Sequence, residues 1–132
     1  LAAMFLAEFS DQFDAVLISG MGSSWSESFS RLPHCSCSII PGLLTVLDSP
    51  QILAAAHCET LALEVGSTDA VLGLASLEGI RERILGLSQQ RGGRVDIHTF
   101  PGGHEHDIPF VIDYFRKHLL ATGAPQKGLV EP

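Results

Sequence analysis

"RVDIHTFPGGHEHD", Arg94 to Asp107, decides how this chain is read. Val95, Ile97, Thr99 and Phe100 are strand formers, and Pro101, Gly102 and Gly103 stop the run. A histidine, His104, follows the glycines at once, with Glu105, His106 and Asp107 behind it. An earlier stretch, "TLALEVGSTD", is built the same way: a strand over Thr60 to Gly66, with Asp69 just past its end. "FDAVLISG", Phe13 to Gly20, is a third apolar run closed by glycine. Continuous hydrophobicity in short runs suits strands buried on both faces, as in a parallel sheet.

Helices are predicted between these strands. Residues 2–9, "AAMFLAEF", look like the end of a helix, and a short one fits Pro50 to Ala56. Leu74 to Gln90 places Leu74, Leu77, Ile80, Ile84 and Leu87 on one face, although Gly79 and Gly86 weaken it. "DIPFVIDYFRKHLLATG" has Asp107 as N-cap, Pro109 in the first turn and Gly123 as stop. Its apolar face is expected to be Ile108, Val111, Ile112, Phe115 and Leu119. Residues 21–50 read as irregular, and 124–132 as a disordered polar tail. Alternating strands and helices predict an α/β fold with parallel strands, one partial domain over residues 1–123. Three strands are few for such a sheet, so the chain reads as half of one. The open edge of "AVLISG" is expected to favour self-association.

Composition narrows the function. The 132 residues carry a net charge of −7 with only eight Lys and Arg. That argues against nucleic acid and against anionic membranes as partners. No apolar run is long enough to span a bilayer. "LAAMFLAEF" has no basic start and contains Glu8, so it does not read as a signal peptide. Three cysteines, Cys35, Cys37 and Cys58, do not make a disulfide framework, and a reducing, cytoplasmic setting is the expectation.

Functional groups collect at the carboxyl ends of strands in open α/β sheets. Asp69 and His104 both stand there, and in the chain order acid then base. An imidazole exchanges protons near neutral pH, and a buried carboxylate fixes its tautomer. Asp-then-His is the later part of the Ser…Asp…His order of α/β-hydrolases. Plainer readings compete. Asp69 could be a helix N-cap, and His104 a solvated loop residue. His104, His106 and Asp107 could bind a metal. "HCSC", His34 to Cys37, could join His57 and Cys58 around zinc, but C-x-C is tight for the usual knuckle. "SGMGSSW", Ser19 to Trp25, lacks the third glycine of a dinucleotide fingerprint and no clear helix follows. It also lacks G-x-S-x-G, which leaves Ser23 and Ser24 poor nucleophiles.

The stretch from Phe13 to Asp69, with "CSCSIIPGLL", and the later "FPGGHEHD" resemble the C-terminal half of α/β-hydrolases. The resemblance is to acetyl-xylan-esterase and dienelactone-hydrolase-like serine esterases, close to prolyl-oligopeptidase-type hydrolases. It implies Asp69 as triad acid and His104 as base, with Cys35, Cys37 and Pro41 in a loop bordering the site. Ser38 departs from the family, which commonly has Asn there, as do Ala70 and Gly73, where prolines are common. The nucleophile and its elbow would lie upstream of Leu1. The implied activity is hydrolysis of a small-molecule ester, a carboxylesterase or acetylesterase, with no cofactor. The alternatives are a non-catalytic α/β interaction module and a metal-binding protein.

Overall fold

The computed structural model describes residues 2–10, 12–21, 23–33, 39–71, 74–90, 92 and 95–120. In chain order the elements are α1 (Ala2–Phe9), β1 (Ala15–Ser19), α2 (Trp25–Arg31), a 3₁₀ turn at Leu43–Thr45, α3 (Ser49–Ala54), β2 (Thr60–Gly66), α4 (Leu74–Gln90), β3 (Val95–Phe100) and α5 (Ile108–Phe115). A π-type coil, Arg116–Leu120, continues α5. The three strands form one parallel sheet in the order β1-β2-β3. This is the α/β class that the alternation predicts.

Register sorts the side chains into two faces. Val16, Leu61 and Val95 lie in one row across the sheet, and Ile18, Leu63 and Ile97 in another. In-register neighbours point the same way, so these rows form one apolar face. Met4 and Ala7 of α1, Ile52 and Leu53 of α3, and Leu77, Ile80 and Ile84 of α4 join them in a single core. Burial of each large side chain is worth ~1.5–3 kcal/mol. The opposite face holds the rows Leu17–Ala62–Asp96 and Ser19–Glu64–His98. There α5 lies across the sheet, with Phe110 stacked on His98 at 3.7 Å. The Tyr114 hydroxyl is 2.6 Å from Thr60 Oγ1 and 3.0 Å from the carbonyls of Val16 and Thr60. Burial pushes its pKa up, so it stays a donor.

Several expectations need correction. All seven residues of β2 are buried, but β1 alternates, with only Val16 and Ile18 buried. Among the described residues β1 has a neighbour on one side only. The segment 21–50 is not all irregular, because α2 forms within it. Its signal was present: Ser24 Oγ accepts the N–H of Glu27 at 3.2 Å, the serine-to-glutamate spacing of a helix start. The expected apolar face of α5 points outward, with Ile108 56% and Ile112 45% exposed. Phe110 and Tyr114, four residues apart, face the sheet instead. Period alone cannot choose between two adjacent apolar stripes; Tyr114 wins because its hydroxyl also serves the strand carbonyls. Asp107 stands at the N-cap position, but its side chain makes no cap bond. Gly123 and the tail 124–132 lie outside the described residues.

One carboxylate organises both short helices. Asp48 Oδ1 accepts the N–H of Trp25 at 2.7 Å and of Ser49 at 2.6 Å. Its Oδ2 accepts from the Ser26 hydroxyl at 2.5 Å and the Ser26 N–H at 3.2 Å. Gln51 Oε1 accepts the Asp48 N–H in return. Burial raises the Asp48 pKa, but the bonds from the Ser26 hydroxyl and the Ser49, Trp25 and Ser26 amides outweigh it, and the net shift is below 3.8. A lowered folded pKa means this stabilisation is complete above the unfolded value and is lost as pH falls through the folded one.

Two outcomes follow from this architecture. Asp48→Ala should cost about 2 kcal/mol in urea unfolding at neutral pH, since α3 loses its cap and the Trp25 and Ser26 amides of α2, which keeps its Ser24 cap, lose their acceptor, at about 1 kcal/mol for each helix. The gap to the unsubstituted chain should close as pH drops below 3.8. The open edge of β1 and the outward stripe of Val111, Ile112 and Phe115 should make the chain associate. Sedimentation should show mass rising with concentration, and Ile112→Glu should reduce it. A monomer at all concentrations would contradict this.

Candidate active site

The ends of β2 and β3 are laced together. Past Gly66, the Ser67 N–H donates to the Phe100 carbonyl at 2.8 Å. Thr68 donates twice to the Gly102 carbonyl, from its N–H at 2.9 Å and its hydroxyl at 2.8 Å. Glycine makes this approach feasible. A Cβ on Gly66 would lie 2.1 Å from the Gly103 oxygen and 2.3 Å from that of Gly102. At the end of β1, Gly20 has φ +66°, and a Cβ there would be 2.7 Å from His104 Cε1. Of the glycines before His104, Gly102 is the crowded one, since a Cβ there would lie 2.2 Å from a Phe100 ring carbon, while a Cβ on Gly103 would meet open space.

The loop after β3 thus carries His104 back over the sheet edge to the loop after β2. His104 Nδ1 lies 2.9 Å from Asp69 Oδ2. The Asp69 side chain is fully buried and the His104 side chain 52% exposed. Asp69 Oδ1 accepts the Val71 N–H at 2.7 Å, so the local turn and the imidazole share one carboxylate. An ionised Asp69 accepting at both oxygens places the ring proton on Nδ1 and leaves the Nε2 lone pair free. Such a pair can take a proton from a hydroxyl and return it.

His106, His98 and His118 have different partners. His106 Nδ1 is 3.3 Å from Glu64 Oε2, and His98 Nε2 is 2.8 Å from Asp107 Oδ2. His118 packs its ring on Tyr114. His104, His106 and Asp107, the trio weighed as metal ligands, therefore turn to three different groups. Among the described residues no three His, Cys, Asp or Glu side chains converge as a metal set. His34, Cys35, Cys37 and Ser38 lie outside the described residues, and Cys58 is a buried thiol whose pKa burial raises. A helix does follow "SGMGSSW", contrary to expectation, but its first amides are taken by Asp48 and Ser24. A carboxylate already sits where a phosphate would bind.

Sequence reasoning missed Gly20, Gly66, Thr68 and Glu64. The first three carry no local signal, since their role is contact with a loop distant in sequence. Glu64 did carry one: it is the lone charge in an otherwise apolar strand, and a buried charge needs partners.

No family model and no curated protein matches the sequence. A solved structure does match: a protein of Klebsiella pneumoniae subsp. pneumoniae MGH 78578 assigned as a dienelactone hydrolase. The likeness has a TM-score of 0.50 at 12% identity and covers 90% of this chain and 42% of that one. This chain has the fold of part of an α/β-hydrolase. The resemblance drawn from the sequence is borne out at the level of fold. No helix among the described residues is long and apolar enough to cross a membrane.

Gly66→Ala should displace the His104 loop, because its Cβ meets backbone that cannot swing away. It should destabilise by about 1–3 kcal/mol and remove the single Nδ1–H tautomer of His104 in ¹⁵N NMR spectra. Gly79→Ala, on α4 with nothing within 4 Å, should instead stabilise by about 0.5–1 kcal/mol.

Proposed function

We propose that this chain supplies the acid and base of a serine-type ester hydrolase. The observation that carries the proposal is the 2.9 Å contact between a fully buried Asp69 carboxylate and Nδ1 of a half-exposed His104. Both groups stand at the carboxyl ends of adjacent parallel strands. His104 Nε2 takes the proton of a serine hydroxyl as that oxygen attacks the ester carbonyl. Asp69 keeps the ring oriented and stabilises the imidazolium. His104 then protonates the departing alcohol, and water releases the acyl group by the same route. The cycle closes with water alone and calls for no cofactor.

Ser19 Oγ faces the Glu105 carbonyl and Ser24 caps α2, while the Ser23 hydroxyl is buried without a hydrogen-bond partner among the described residues. In this reading the nucleophile and the oxyanion-hole donors come from outside residues 1–132, and this chain covers 42% of the Klebsiella chain. The substrate class is small esters. A second reading, a non-catalytic interaction module, draws on the outward apolar stripe of α5, but it leaves the burial of Asp69 against His104 without a role.

The test is hydrolysis of p-nitrophenyl acetate. Residues 1–132 alone should show no saturable turnover, because loss of even one oxyanion donor costs about a hundredfold or more. The longer protein should turn over and be silenced by a serine-directed phosphonate. In it, His104→Ala should abolish activity and Asp69→Asn should lower kcat by about a thousandfold or more, while His106→Ala should do much less. Phosphonate-sensitive turnover by residues 1–132 alone would move the nucleophile into this chain.

A further inference from the structure

His104 is not held by Asp69 alone. Ser19, Glu64 and His98 are in register across all three strands and so form one row on the face beneath α5. Each reaches the segment that follows His104. Ser19 Oγ lies 3.5 Å from the Glu105 carbonyl. Glu64 Oε1 accepts the Asp107 N–H at 2.6 Å, and Oε2 faces His106 Nδ1 at 3.3 Å. His98 Nε2 meets Asp107 Oδ2 at 2.8 Å. Asp107 is thus gripped at its backbone from β2 and at its carboxylate from β3.

Glu64 is the unusual member. Its side chain is fully buried in the central strand, where a leucine or methionine would serve packing without the cost of desolvating a charge. Both of its oxygens are used on the loop rather than on the sheet. On the other side of His104, Thr68 grips the Gly102 carbonyl. His104 therefore spans two fixed points, and the span sets where its ring stands against Asp69 and Gly20.

We propose that Glu64 is a positioning residue for His104, acting through Asp107 and His106 with Ser19 and His98 as its partners in the row. The proposal rests on Asp69 and His104 being the acid and base. A displacement of about 1 Å in a reacting group can cost about a hundredfold in rate, so a buried charge that removes slack from the loop has a use that packing does not explain.

The experiment reads the His104 tautomer by ¹⁵N NMR in residues 1–132, and kcat and KM in the longer protein. Glu64→Met, which keeps length and loses both acceptors, should convert the single Nδ1–H form of His104 to a mixture. It should lower kcat by about ten- to a hundredfold with KM within about twofold. Glu64→Gln, whose Oε1 still accepts the Asp107 N–H, should restore both readouts. His98→Phe keeps the ring stack on Phe110 but frees the Asp107 carboxylate; it should shift His104 the same way by less, and it decides the matter if Glu64→Met does not fold. A folded variant with a lower Tm and an unchanged His104 tautomer would overturn the proposal and leave Glu64 a stability residue. If the tautomer responds while Asp69→Asn retains full turnover, the clamp stands and the acid–base assignment falls.

Discussion

The register of β2 between its two neighbours is the constraint on which the site depends. Pairing of Ser19 with Glu64, and of Glu64 with His98, brings the ends of three strands to one line. A slip of one residue would turn Glu64 into the apolar core and Leu63 or Val65 toward the loop. The apolar rows beneath α1, α3 and α4 forbid that slip, since Leu61, Leu63 and Val65 are all buried there. Packing on one face thus fixes the polar row on the other.

The two faces of the sheet divide the work. One is an ordinary core, filled by branched and aliphatic side chains from three helices. The other carries Glu64, His98 and Asp96, and its helix contributes aromatic rings with a hydroxyl rather than an aliphatic stripe. Tyr114 binds two strand carbonyls, and Phe110 covers His98. This explains why α5 presents Ile108 and Ile112 outward. The inner surface it meets is partly polar, and an aromatic pair suits it better than branched aliphatics.

Close approach of backbone to backbone is the second theme. Gly66 lets the Gly102–Gly103 peptide pass directly over the end of β2, and Gly20 leaves room for the imidazole. Thr68 then closes the gap with two hydrogen bonds to one carbonyl. The loop holding His104 is therefore set by contacts to β1, β2 and β3 at once. A fixed loop of this kind keeps a half-exposed imidazole aligned with a buried carboxylate although the ring itself has open space beside it.

Hydrophobic runs, their spacing and their terminators were enough to determine three parallel strands, four of the helices, and the arrival of Asp69 and His104 at strand ends. Those features are local: they depend on which residues follow one another. The seven-residue α2 was also legible in the Ser24–Glu27 spacing, though easily overlooked in a Ser-rich segment. What the tertiary structure alone decided was partnership. Beyond the Asp69–His104 pair, which strand-end order and the resemblance already implied, His106 turns to Glu64 and Asp107 to His98, although the sequence set His104, His106 and Asp107 close together as if for one metal. The inward stripe of α5, the need for glycine at positions 20 and 66, and the row Ser19–Glu64–His98 likewise depend on register and on loops meeting across the sheet. A linear pattern carries the period of each element, but not which element lies opposite it, and the chemistry of this site is set by what lies opposite.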